Sequence, residues 1–269
     1  MPDPVRSTLD PEEVARFDRL ARDWWDEAGP MRALHAINPL RLGYVRDQAC
    51  RRFGRRARDP RPLEGLTALD VGCGAGILCE PLARLGAAVT GLDPAPANIA
   101  AARLHAEGSG LAIDYREETV EAAVARGERF DLVLALEVVE HVADVPAFIE
   151  ACAAALRPGG LLVLATLNRT LRSYALAIIG AEYVLGWVPR GTHDWNRFLT
   201  PDELEGHVAR TGLRVIDTTG LVYNPLRGWD LSGDTAVNYL QAAVRAGAGP
   251  GGEAGGGSRP AGSPGPASG

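Results

Sequence analysis

Three clusters in this sequence carry groups able to do chemistry. The run Asp70-Val71-Gly72-Cys73-Gly74-Ala75-Gly76 sets three alternate glycines behind a carboxylate. Glycine takes backbone angles closed to other residues and lets the main chain approach a ligand closely. Asp93 follows 21 residues after Gly72, where a carboxylate can accept hydrogen bonds from both hydroxyls of a ribose. The third cluster is Glu137-Val138-Val139-Glu140-His141. If a helical turn begins there, Glu137, Glu140 and His141 share one face at i, i+3 and i+4. Two carboxylates and an imidazole can hold a divalent ion; equally, His141 can act as a base with no metal.

The elements that must position these groups alternate in type. An apolar run from Leu66 to Val71 ends at the glycine turn, and Ile77 to Leu85 reads as a helix. Ala88 to Leu92 forms a second strand ending at Asp93, followed by a helix over Ala97 to Ala106. Leu111 to Tyr115 and Phe130 to Leu136 are the next strands, then comes a helix over Val145 to Leu156. A fifth strand, Leu161 to Thr166, follows the turn Arg157-Pro158-Gly159-Gly160. Strands separated by helices imply right-handed crossovers and a doubly wound, parallel α/β sheet. In such sheets a ligand binds at the carboxyl ends of the strands, where the strand order reverses.

Flanking regions break that rhythm. Asp10-Pro11-Glu12-Glu13 reads as a helix start, with the helix running to about Trp25. Leu34 to Arg58 is expected to be irregular, with a break at Asn38-Pro39. An apolar insert, Leu171 to Val188, precedes a helix starting near Pro201 and has the character of a lid over the strand ends. The expected organisation is an N-terminal helical extension over 1–60, the α/β domain over 61–246 with the insert at 169–199, and a Gly/Pro/Ala/Ser tail over 247–269.

A glycine loop and a second-strand acid suit a dinucleotide as well. The dinucleotide fingerprint, however, is G-x-G-x-x-G, with the third glycine near a pyrophosphate. Here the third glycine comes one residue early, and Asp70 stands before the loop. That carboxylate suits a cofactor with a cationic amino group and no phosphate, which describes S-adenosylmethionine.

The same motifs, with Phe130-Asp131-Leu132-Val133 and Leu156-Arg157-Pro158-Gly159-Gly160, resemble those of the class I methyltransferases, whose fold is Rossmann-like. A closer resemblance is to the UbiG-like ubiquinone-biosynthesis O-methyltransferases. It rests on Asn38-Pro39-Leu40-Arg41-Leu42-Gly43-Tyr44, Glu117-Glu118-Thr119-Val120-Glu121, Thr166-Leu167-Asn168-Arg169-Thr170 and Gly180-Ala181-Glu182-Tyr183. Pro189-Arg190-Gly191-Thr192-His193-Asp194-Trp195 and Gly220-Leu221-Val222-Tyr223-Asn224-Pro225 extend it over roughly Phe17 to Gln241. The resemblance implies that Arg41, Gly72, Asp93 and Leu136 contact the cofactor, with Asp70 and Gly74 in the same loop. Arg41 suits the methionyl carboxylate. It also implies Mg2+ at Glu137, Glu140 and His141. The implied acceptors are polyprenyl catechols and hydroxyphenols: 2-polyprenyl-6-hydroxyphenol and 3-demethylubiquinol. Partners implied are that lipid, the anionic surface of the inner membrane and other enzymes of the same pathway.

Composition narrows the alternatives. The chain is 46% hydrophobic with a net charge of -6, so bulk electrostatics give no reason to expect a nucleic-acid partner. The arginines between Arg51 and Arg61 read as a solvated face. Cys50, Cys73, Cys79 and Cys152 lack metal-site spacing and fit reduced thiols in a cytoplasmic protein. No signal peptide and no apolar run of the roughly 18 to 20 residues of a spanning helix is visible. A lipid acceptor would nonetheless bring the protein to the membrane, with Arg169, Arg172 and Arg190 flanking the insert.

Overall fold

Strand β1 (Thr67–Val71) is short, apolar and almost wholly buried, and the rest of the sheet is built outward from it. In the computed structural model of the chain, which describes residues 8–20, 24–29, 31–173, 195–224 and 226–245, β1 lies between β2 (Ala88–Asp93) and β4 (Phe130–Leu136). Beyond β2 comes β3 (Asp114–Glu117), and beyond β4 comes β5 (Leu156–Leu167). These five strands pair in parallel. The strand order therefore reverses between β1 and β4, at the carboxyl ends that carry the glycine loop and Glu137.

The far side of the sheet runs the other way. Strand β8 (Asn238–Arg245) pairs antiparallel with β5, and β6 (Leu213–Asn224) pairs antiparallel with both β8 and β7 (Gly228–Ser232). No crossover helix joins these last strands, and antiparallel pairing is what short connections permit.

Helices cover both faces. On one face, α2 (Arg32–Phe53), α3 (Cys79–Arg84) and α4 (Pro96–Gly108) close a core with Ala68, Leu132, Leu134 and Val163. On the other, α5 (Val120–Ala125), α6 (Val145–Ala154) and α8 (Pro201–Arg210) pack on Leu69, Val133, Ala135 and Leu162. Neighbouring residues of β4 thus serve opposite cores, which is why Leu132 to Leu136 reads as an unbroken apolar run. Helix α1 (Pro11–Leu20) begins where Asp10 Oδ1 accepts from Glu12 N at 3.1 Å, as its N-terminal residues predict. A short α7 (Leu171–Ser173) opens the insert; the rest of the insert to 194, and the tail, lie outside the described residues.

Several local expectations are corrected. Asn38-Pro39 does not break the chain: Pro39 sits inside the 22-residue α2. The side chain of Asn38 donates to Ile77 O at 3.0 Å, and Tyr44, Val45 and Ala49 are buried in the core, so tertiary packing outweighs the lost backbone bond. Gly54, at φ 64°, then ends the helix in the left-handed conformation. Helix α1 is described over Pro11–Leu20 and does not reach Trp25, since Trp24-Trp25 lie in a turn. Arg157 to Gly160 form an irregularity within β5: Phe130 pairs with Leu156 and Leu132 with Leu161. The crowded arginines partly solvate, as expected, although Arg52 Nε donates to Gly159 O at 2.8 Å and so pins that irregularity. All four cysteines are buried and free.

Candidate active site

The loop after β1 is shaped by backbone hydrogen bonds. Gly72 N and Cys73 N donate to Leu92 O at 2.8 and 2.9 Å, tying the loop to the end of β2. Gly72, Gly74 and Gly76 have φ of 70°, 54° and 85°, the left-handed region that side chains resist. Space also forbids a side chain: a Cβ on Gly72 would come within 2.6 Å of Val138 Cγ2, and one on Gly74 would collide with the indole of Trp24.

Asp93 locks this shape. Its Oδ2 accepts from Gly74 N at 2.9 Å, while Oδ1 accepts from Ala95 N at 2.9 Å and from Asn98 Nδ2 at 3.1 Å. One carboxylate therefore joins the glycine loop to the start of α4, a second duty that the sequence did not disclose. Asp70 lies behind the loop, buried, accepting from Cys79 Sγ at 3.2 Å. Burial pushes its carboxyl up to about 7, the Cys79 contact opposes this, and the charge of Asp93 adds to it. A cation nearby would restore its ionised form.

The opposite wall rises from β4. Glu137 follows the strand at φ 58°, a conformation uncommon for a residue with a Cβ, with its N–H donating to Ala165 O at 2.9 Å. Val139–His141 is a 3-10 turn and not an α-helical one, so the expected common face of Glu137, Glu140 and His141 does not form. Glu137 and Glu140 stay side by side, and His141 turns away. Arg41, buried on α2, pairs with Glu137, and Asn238 Nδ2 donates to the same Oε1 at 3.1 Å. Glu140 is buried and its Oε2 accepts from Thr166 Oγ1 at 2.8 Å. Burial and the adjacent Glu137 charge hold the Glu140 carboxyl well above the ordinary carboxylate range. His141 turns the other way, its Nδ1 lying 2.8 Å from Oε2 of Glu13 on α1. Among the described residues no three His, Cys, Asp or Glu side chains come together as a metal site.

Two further groups were not singled out from the sequence. Glu13 reaches His141 from 128 positions away, and the Trp24-Trp25 turn covers the glycine loop together with Met31, Ala75 and Ile77. Adjacent tryptophans within an otherwise polar stretch were the visible signal for the second; nothing local signals the first. Leu136 packs at the edge of the main core, at the carboxyl end of β4.

Comparison with known proteins decides the family. A methyltransferase-domain model matches residues 42–218. The ubiquinone biosynthesis O-methyltransferase of Methylobacterium nodulans is 64% identical over 239 residues, covering 88% of this chain and 96% of that protein. The protein of the same name from Methylocella silvestris is 58% identical, covering 89% and 96%. This chain belongs to the ubiquinone biosynthesis O-methyltransferases. It is an S-adenosylmethionine-dependent O-methyltransferase on the Rossmann-like fold that the sequence predicts. Solved structures agree on that fold. The magnesium protoporphyrin IX methyltransferase of Synechocystis, determined with bound SAH, superposes with a TM-score of 0.60 at 19% identity, covering 86% of this chain and 94% of that one. A methyltransferase from Thermotoga maritima gives 0.56 at 12% identity, covering 87% and 99%.

Proposed function

We propose that this chain methylates a phenolic hydroxyl of a polyprenyl catechol or hydroxyphenol in ubiquinone biosynthesis, with His141 as the base. The observation that carries the reading is the packing of Val138 on Gly72, which sets the Glu137–His141 turn directly against the cofactor loop. Asp70, Gly72, Gly74 and Asp93 hold the cofactor from one side, with Arg41 serving its carboxylate and Leu136 its hydrophobic edge. Asp93 keeps enough acceptor capacity for ribose hydroxyls beyond its backbone bonds.

In the reaction an acceptor oxygen attacks the sulfonium methyl in line. The S–CH3 bond breaks as the O–CH3 bond forms, its electron pair stays on sulfur as the neutral thioether S-adenosylhomocysteine, and the phenolic proton leaves to the base. The Glu13 carboxylate, 2.8 Å from Nδ1 of His141, supports the imidazolium that forms. Alignment of donor and acceptor supplies the rest of the acceleration.

Magnesium is a second reading, favoured by one observation: Oε1 of Glu140 is buried with no hydrogen-bond partner among the described residues, next to the Glu137 charge. The carboxylates fit a dication; His141, turned to Glu13, does not fit as placed. A bound ion would lower the pKa of the acceptor hydroxyl. Membrane contact follows from a lipid acceptor. Its support is hydrophobic and not electrostatic: Leu171, at the start of the insert, is exposed, whereas Arg169 pairs with Glu203 and Arg172 with Asp234. No described helix is long and apolar enough to cross a membrane. Assembly with other enzymes of the pathway belongs to the same proposal.

The test is methyl transfer from labelled S-adenosylmethionine to a short-chain prenylated catechol, with magnesium or with a chelator. Product that persists with chelator supports His141 alone. Product lost with chelator transfers the proton problem to a metal at Glu137 and Glu140. No product, with S-adenosylmethionine still bound, overturns the acceptor assignment.

A further inference from the structure

The N-terminal turn closes over the glycine loop, and its contacts are too particular for a passive cover. Trp24 lies on Gly74 so closely that the absence of a side chain there is what admits the indole. The turn is fastened from three sides. Trp25 Nε1 donates to Ala75 O at 3.1 Å, and its ring stacks on His105 of α4 with centroids 3.4 Å apart and planes 3° from parallel. His35 Nε2 donates to Trp24 O at 2.7 Å. Trp24 itself is only 8% exposed, with Met31, Ala75 and Ile77 in the same cluster.

One group in this arrangement lacks a partner. Nε1–H of Trp24 is buried and finds no acceptor among the described residues. An indole N–H shut away from water without a partner is costly, and Trp25, the next residue, satisfies its own. The benzo edge of the same indole lies on Gly74, whose N–H is held by the Asp93 carboxylate assigned above to the cofactor ribose.

We propose that Trp24 is a wall of the cofactor site, its ring covering the bound S-adenosylmethionine at Gly74 and its Nε1–H donating to an oxygen of the cofactor's methionyl-ribose half. The inference rests on the cofactor reading given above. Trp25, His35 and His105 are positioning residues that hold Trp24 in place. The cofactor site is then shared between the α/β sheet and the segment that precedes it.

Calorimetric titration of the full chain with S-adenosylhomocysteine tests this in the wild type, Trp24→Phe and Trp24→Ala. Loss of the hydrogen bond with part of the ring should weaken binding about fivefold in Trp24→Phe. Loss of the ring as well should weaken it about 50-fold in Trp24→Ala. In turnover the KM for S-adenosylmethionine should rise in the same order while the KM for the catechol stays within about twofold. Tryptophan emission should respond to S-adenosylhomocysteine in the wild type and lose most of that response in Trp24→Phe. The phenylalanine variant keeps an aromatic ring in the cluster, so the test stands even if the alanine variant does not fold. Wild-type affinity in Trp24→Phe would overturn the proposed donor, and wild-type affinity in both would overturn the wall. Those outcomes leave the cofactor reading intact; a wild-type protein that binds no S-adenosylhomocysteine would overturn both.

Discussion

The two walls of the active site are built on different terms. The cofactor wall, Asp70 to Gly76 with Asp93, is held by its own backbone N–H groups from the adjacent strand end: Gly72 N and Cys73 N donate to Leu92 O and Gly74 N to the Asp93 carboxylate. The acceptor wall, Glu137 to His141, is held by side chains that arrive from distant segments. Arg41 and Asn238 meet Glu137 from 96 and 101 positions away, and Glu13 meets His141 across the whole of the first sheet half. A wall of paired side chains can exchange partners: Arg41, which holds Glu137 here, is also the residue suited to the cofactor's carboxylate. On the cofactor role proposed for Arg41, cofactor arrival and the freeing of Glu137 are linked events.

Substitutions that affect one wall and not the other sharpen this contrast. The largest effect is expected from His141→Ala, which should lower kcat by about 100-fold or more while S-adenosylhomocysteine affinity stays within about twofold. Steady-state kinetics beside calorimetry would decide it, and a normal kcat would remove the base from His141. Asp93→Ala should do the reverse. It removes the acceptor for Gly74 N, Ala95 N and Asn98 as well as the ribose contact, so cofactor affinity should fall by about 100-fold. Retained affinity would mean that the loop keeps its shape without the carboxylate.

A smaller, pH-dependent effect is expected at Asp70. Its folded carboxyl sits at about 7, above the ordinary value near 4, so ionising it costs the empty protein stability as pH rises from about 4 through 7. A cationic cofactor favours the ionised form. Affinity for S-adenosylmethionine should therefore weaken as pH falls below about 7, and Asp70→Asn should flatten that slope. A wild-type affinity that is level between pH 8 and 6 would contradict the assignment. Least of all, and outside both walls, Thr200→Ala breaks the capping box of α8, in which Glu203 N donates to Thr200 Oγ1. Thermal unfolding should show a loss of about 1 kcal/mol with cofactor affinity unchanged.

The legibility of each wall in the sequence follows the same division. The glycines, Asp70 and Asp93 could be placed because each sits at a strand end, and strand ends are marked by short apolar runs that stop at turn residues. The helix start at Pro11 was equally plain from its capping residues, and a helix was expected near Pro201. The turn after β4 was not: Glu-Val-Val-Glu-His suits an α-helical turn by spacing, and the choice of a 3-10 turn depends on Ala165 accepting from Glu137 N and on Val138 packing against Gly72. Pro39 misled for the reverse reason. A proline marks a break locally, yet a helix sunk in a core on one face tolerates the loss of one backbone bond.

What the sequence determined by itself was the alternation of strand and helix, the position of the cofactor loop and the family to which the chain belongs, since all three rest on local pattern and on residues close in order. Tertiary structure alone decided which side chains share a charge. It put Arg41 on Glu137, Glu13 on His141 and Trp24 over Gly74, because electrostatic pairing and close packing act through space between segments whose separation along the chain carries no local signal.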